Sequence, residues 1–186
     1  SEVEKLLEDM ERLLKEDEEL VRRLSKRSEE IVRDDRRRNK EILDEIRKLL
    51  EELKRLADRL EGREELEKLL KELEDRVDKL IKESEELNEE SERRNKKLLD
   101  DLERLNRDTE RKIEEIVKKV RDRLDKVKDV EERLRRAEER IRRAVERTRD
   151  HARRNHEKLK ELVKETRESN DRLKKEIRKL LEELRK

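Results

Sequence analysis

Residues 130–184 read VEERLRRAEERIRRAVERTRDHARRNHEKLKELVKETRESNDRLKKEIRKLLEEL. Val130, Thr148, Thr166 and Leu184 share one phase of an 18-residue repeat. Leu134, Ala152 and Asn170 share the next, followed by Ala137, Asn155 and Leu173, and by Ile141, Leu159 and Ile177. At about 3.6 residues per turn, eighteen residues close five turns, so the pattern is that of a straight α-helix. A strict heptad would instead wind the helices into a left-handed supercoil. The buried face is therefore built for helices that run nearly straight.

The same pattern extends through the two preceding segments. The first opens with Ser1-Glu2-Val3-Glu4, which has the spacing of a capping box. Its apolar stripe runs Leu6, Met10, Leu13, Asp17, Leu20/Val21, Leu24, Ser28, Ile31, Asp35, Asn39, then Ile42, Ile46, Leu49, Leu53, Ala57 and Leu60. Gly62 is the one glycine of the chain and is expected to close this helix as a left-handed cap. The second stripe runs Leu66, Leu69/Leu70, Leu73, Val77, Leu80/Ile81, Ser84, Asn88, Ser91, Asn95, Leu98/Leu99. It continues as Leu102, Asn106, Thr109, Ile113, Ile116/Val117, Val120, Leu124 and Val127. The phase then breaks: the next stripe position would be 131, but the third stripe starts at Val130. One residue is about 100° around a helix, and Asp129 with Glu132 has N-cap spacing, so a tight turn is expected near Lys126–Asp129. One helix continuing through this joint is the alternative. The expected helices cover residues 2–61, 64–126 and 130–186, each about 60 residues and on the order of 90 Å long. Similar lengths and short joints predict an all-α fold: one elongated, up-down-up antiparallel three-helix bundle.

Composition agrees with this reading. Charged residues make up 62% of the chain, which by itself would suggest disorder, but the 28% hydrophobic residues are gathered on one face. There is no Pro, Cys, Phe, Tyr or Trp. The chain therefore lacks disulfides, thiolate zinc ligands and the aromatic surfaces of ordinary ligand pockets or base-stacking platforms. No run approaches a membrane span, and the N-terminus is not a signal peptide. A net charge of +1 gives no global attraction to nucleic acid or membrane. The third segment nevertheless carries about +7 against about −3 in each of the others, which favours pairing within the chain. A nucleic-acid surface is the competing reading, but Arg36-Arg37-Arg38 and Arg153-Arg154 lack interleaved aromatics.

The most specific feature is the polar residues that occupy core positions. If Leu60 faces Leu66, positions at one level on helices one and two sum to about 126. If Val127 faces Val130, helices one and three differ by about 131 at one level. Asp17, Thr109 and Thr148 then share a level, as do Asp35, Ser91 and Thr166, and Asn39, Asn88 and Asn170 fit within one residue. A carboxylate can accept from two hydroxyls, and three amides can close a ring. Mixed levels are expected at Asn95 with Ile31 and Leu162, Asn155 with Leu24 and Leu102, and Ser28 with Leu98 and Leu159. Buried polar groups without partners cost about 1–3 kcal/mol, so such layers would fix register and topology against sliding. A catalytic or metal-binding role for Asp17 or Asp35 is the competing reading, and neither layer combines His or Cys with several carboxylates in ligand spacing. His151 and His156 flank the stripe, His151 near the level of Asn106 and His156 near that of Ser25 and Asp101. They are expected as neutral boundary residues, or else as a weak pH switch.

Taken together, the 18-residue stripes, the aligned polar triplets and the Glu/Lys/Arg/Asp solvent faces resemble de novo designed, untwisted three-helix bundles with buried hydrogen-bond-network layers. The resemblance covers the whole chain. It implies a structural scaffold that is not an enzyme, uses no cofactor and has no natural localisation, being soluble in the cytoplasm of an expression host. No partner is required, and a monomer is favoured over a homo-oligomer. The alternative is a conformational switch or binding module in which helix three detaches or extends. A natural spectrin- or tropomyosin-like segment would show drifting heptads and aromatics instead.

Overall fold

The computed structural model describes residues 2–59, 62–123 and 128–185. They form three long helices: α1 (Glu2–Ala57), α2 (Arg63–Arg123) and α3 (Lys128–Arg185). There is no strand among the described residues. Helices of this length follow from the near absence of breakers and from the dominance of Glu, Lys, Arg and Leu. Short-range ion pairs add to them: Arg12 with Asp9, Arg22 with Glu19, Arg37 with Asp34 and Arg153 with Asp150, all three residues apart. Each is exposed and worth about 0.2–0.5 kcal/mol. Acidic residues occupy each first turn, at Glu2 and Glu4, Glu64 and Glu65, and Asp129 and Glu131, where they complement the helix dipole.

The joints differ from the sequence expectation. α1 ends at Ala57, short of residue 61, and Arg59 N donates to Leu56 O at 3.1 Å in the following turn. Gly62 is not a left-handed cap, because its φ lies outside the left-handed region. Its carbonyl instead accepts from Leu66 N at 3.2 Å, which makes it the residue that starts α2. Glycine serves there because an N-cap needs an extended backbone and a carbonyl, not a positive φ. At the second joint α3 begins at Lys128, so Asp129 lies inside the first turn and is not its cap. Ser1, Leu60, Glu61, residues 124–127 and Lys186 lie outside the described residues, and with them the expected Ser1 cap, the first half of the expected turn and three stripe positions.

The chain falls into two compact units, to which each helix contributes: residues 1–30 with 94–156, and residues 31–93 with 157–186. In the first unit the apolar core joins Leu7, Met10 and Leu14 of α1, Ile113, Val117 and Val120 of α2, and Leu134, Ala137 and Ile141 of α3. Here the centre of the α1 stripe lies one residue from its expected position. Leu7 and Leu14 are fully buried, whereas Leu6 and Leu13 pack against the rim. A helix that faces two neighbours has a stripe about two residues wide, and position alone does not say which member of a doublet points to its centre. In the second unit Ile42, Ile46, Leu49 and Leu53 meet Leu70, Leu73, Val77 and Ile81, together with Leu173, Ile177 and Leu181.

Candidate functional site

Among the described residues, eleven polar side chains are buried between these apolar positions: Asp17, Ser28, Asp35, Ser84, Asn88, Asn95, Asn106, Thr148, Asn155, Thr166 and Asn170. All but Thr166 are at most 6% exposed. They are delivered by the stripe itself, since residues three and four apart share a helix face. Their hydrogen bonds form three groups.

The first group, in unit one, gathers Asp17 of α1, Asn106 and Thr109 of α2, and Thr148 of α3. Asn106 lies between the acid and the hydroxyl. One terminal atom of its amide is 2.8 and 2.9 Å from the two Asp17 oxygens, and the other is 2.5 Å from Thr148 Oγ1. Thr148 Oγ1 is also 2.8 Å from the carbonyl of Ala144, and Thr109 Oγ1 is 3.0 Å from that of Leu105. Burial pushes the Asp17 carboxyl up to about 6, against the lowering effect of a hydrogen bond from Thr109 and with a small further rise from the charge of Glu18. The level that was expected to hold Asp17, Thr109 and Thr148 thus includes Asn106 as well, and the amide provides the bridge.

The second group, also in unit one, runs through all three helices. Asn155 Nδ2 of α3 donates to Ser28 Oγ of α1, and Ser28 in turn donates to Asn95 Oδ1 of α2. His151 Nε2 lies 3.2 Å from the Ser25 carbonyl and 3.3 Å from Asn155 Nδ2. Sequence levels assigned Ser28, Asn95 and Asn155 to three separate mixed layers, and the structure joins them. The pairs Ser28–Asn155 and Ser25–His151 are 127 and 126 residues apart. These partners are about one turn short of the 131 that tightly closed joints imply between α1 and α3, so the hydrogen bonds here join residues a turn apart from the expected level. That turn also puts His151 against Ser25, and not against Asn106. His156 is exposed.

The third group, in unit two, connects α1 and α2. Ser91 donates to Asp35 Oδ1 at 2.7 Å. Asn39 Nδ2 donates to Asn88 Oδ1 at 2.7 Å and reaches Asp35 Oδ2 at 3.1 Å, while Ser84 donates to Asn39 Oδ1 at 2.5 Å. Burial raises the Asp35 carboxyl above its ordinary range, and Ser91, Asn39 and the charge of Arg38 work against that rise. The two α3 members expected here do not join. Thr166 donates to its own helix, at Leu162 O, 2.8 Å away. The buried Asn170 Nδ2 has no hydrogen-bond partner. Ser84 is the residue the level argument missed. Its signal was present, since it lies on the stripe one turn from Asn88.

Among the described residues there is no group of three or more His, Cys, Asp or Glu side chains that could hold a metal ion. Two depressions of the surface are open and lined by charges of both signs, one by Glu103, Arg107 and Glu114 among others on α2, the other by Glu146, Arg149, Asp150 and Arg153 on α3. Among the described residues no helix is long and apolar enough to cross a membrane. Between helices of unit one, Arg140 of α3 holds Glu11 at 2.7 Å and Glu18 at 3.0 Å, and Arg121 of α2 holds Glu131 at 3.0 Å.

No protein-family model matches the chain, and no curated protein matches it in sequence. Its fold is similar to that of a solved structure described as a computationally designed three helix bundle. The TM-score is 0.74 at 20% sequence identity, over 98% of this chain and 92% of that one. At that identity the likeness is one of fold, and it places three long helices in a three-helix bundle.

Proposed function

We propose that the chain is a structural scaffold, a helical bundle whose buried polar residues specify register and topology and which carries out no reaction of its own. The observation that supports this is the chain of hydrogen bonds from Asn155 through Ser28 to Asn95, one residue from each helix. Such a set is satisfied only when all three helices stand at one axial setting. Leucine in its place would be equally content after a slip of a turn. Buried polar groups are known to trade stability for this kind of specificity. The likeness of fold to a designed bundle agrees with the reading, and a monomer that needs no cofactor, nucleic acid or membrane is expected.

The test is the triple replacement Ser28→Leu, Asn95→Leu and Asn155→Leu. The variant is expected to withstand more denaturant than the parent, but to give a mixture of masses by light scattering or doubled backbone NMR resonances. A variant that remains a single monomeric species with one set of resonances would show that this polar group does not specify the fold.

A further inference from the structure

The Asn106 amide stands between two partners that can each change role. Asp17 is a carboxylate when ionised and then only accepts; when protonated it carries one O–H. Thr148 has one hydroxyl hydrogen and two acceptors within reach, Asn106 at 2.5 Å and Ala144 O at 2.8 Å. Thr109 has the same choice, between Asp17 and the Leu105 carbonyl 3.0 Å away. We propose that Asp17, Asn106 and Thr148 form a proton-driven relay. Ionised Asp17 holds the amide nitrogen of Asn106, and protonated Asp17 holds its oxygen, so that taking up one proton turns the amide over and re-aims the Thr148 hydroxyl.

Both arrangements satisfy the same heavy-atom positions. With Asp17 ionised, Asn106 Nδ2 donates to the carboxylate at 2.8 and 2.9 Å, and Asn106 Oδ1 accepts from the Thr148 hydroxyl at 2.5 Å. Thr109 then gives its hydrogen to Asp17. With Asp17 protonated, its O–H donates to Asn106 Oδ1, Asn106 Nδ2 donates to Thr148 Oγ1, and Thr148 donates to Ala144 O. Thr109 returns to Leu105 O. No bond between heavy atoms breaks. One proton enters from solvent at Asp17, and each hydroxyl hydrogen moves by rotation about its own C–O bond. If the amide were locked either way, one protonation state would press two acceptors or two donors together inside a buried site, which is costly.

The charged groups around the relay do not supply another switch. On α1, Glu18 is the neighbour that acts on Asp17, and Arg140 of α3 binds it at 3.0 Å. α2 faces Asp17 with the neutral Asn106 and Thr109, and α3 contributes the neutral Thr148. Beyond Thr148 on α3, Arg149 and Asp150 are exposed, Asp150 being paired with Arg153 at 2.6 Å, and His151 is engaged by Ser25 and Asn155 of the neighbouring group.

The test is NMR of the full chain labelled with carbon-13 and nitrogen-15, titrated from pH 8 to pH 4. The Asp17 carboxyl carbon is expected to titrate once, and the Asn106 side-chain amide resonances to move with the same midpoint. Nuclear Overhauser contacts of the Asn106 amide protons should grow toward the Thr148 methyl as pH falls. Asp17→Asn should abolish the movement at Asn106. Amide resonances that stay still while Asp17 titrates would overturn the relay. So would a midpoint that follows the His151 ring in place of Asp17, or contacts from Asn106 that keep the same neighbours at both ends. The parent titration requires no substitution, so its outcome does not depend on how a variant folds.

Discussion

At the scale of single residues, a polar side chain in this core is worth what its partners make of it. Ser28 is fully buried, yet it both accepts from Asn155 and donates to Asn95. Asn170, nearly as buried, leaves its amide nitrogen without a partner. An unsatisfied buried group costs about 1–3 kcal/mol, and leucine, which branches at the same atom, would remove that cost and add apolar contact. Asn170→Leu is therefore expected to raise stability by about 1–3 kcal/mol, read as a higher urea midpoint at constant slope. A substitution of the same kind at Asn106 is expected to lower it, because Asp17 would lose its partner. From the sequence the two asparagines look alike, since both sit on the stripe in polar levels. What separates them is the presence of a facing group within about 3 Å, which residue type and spacing do not encode.

At the scale of elements, the helices follow from local properties and the joints do not. Periodicity, propensity and the charges of the first turns all point to three helices, and the phase break before Val130 marks the second joint without help from glycine or proline. Gly62 opens α2 and does not close α1, because glycine suits an N-cap as well as a left-handed C-cap and its presence alone does not distinguish them. The distinction has a consequence. A Cβ added at Gly62 would meet only Glu65 Cγ, at 4.0 Å, and φ there suits an ordinary residue. Gly62→Asp is expected to stabilise the protein by a few tenths of a kcal/mol, since aspartate caps a helix slightly better than glycine. A left-handed residue would instead lose stability, so a thermal melt of this variant checks the assignment. The breadth of the α1 stripe has a similar origin: Leu6 and Leu7, or Leu13 and Leu14, cannot be ranked before the neighbouring helices are in place.

At the scale of the whole molecule, the buried acids make stability depend on pH. Asp17 titrates near 6 in the folded chain against 3.8 for an ordinary aspartate, and Asp35 is shifted in the same direction. The folded state thus binds protons more tightly than the unfolded one. The stabilisation is complete below the unfolded value and is lost as pH rises through the folded one. For Asp17 the full difference corresponds to about 3 kcal/mol, of which about 2 kcal/mol returns between pH 7.5 and 4.5. Relative to Asp17→Asn, the parent is therefore expected to gain about 2 kcal/mol over that interval in urea unfolding. An equal pH dependence in both proteins would contradict it.

The sequence alone determined that this protein is three long helices, that one stripe of each is buried, and that Asp, Asn, Ser and Thr interrupt that stripe. Those properties follow from the 3.6-residue turn and need no knowledge of neighbours. Only the tertiary structure decided which interruptions meet. Around Ser28 the hydrogen-bonded residues of α1 and α3 are 127 and 126 apart, about one turn short of the 131 obtained by closing the joints as tightly as possible. One turn is about 5 Å, longer than a hydrogen bond, so a shift of that size exchanges partners while leaving every apolar position buried. That is why the helices were legible in advance, whereas the bridge through Asn106, the chain through Ser28 and the orphaned amide of Asn170 were not.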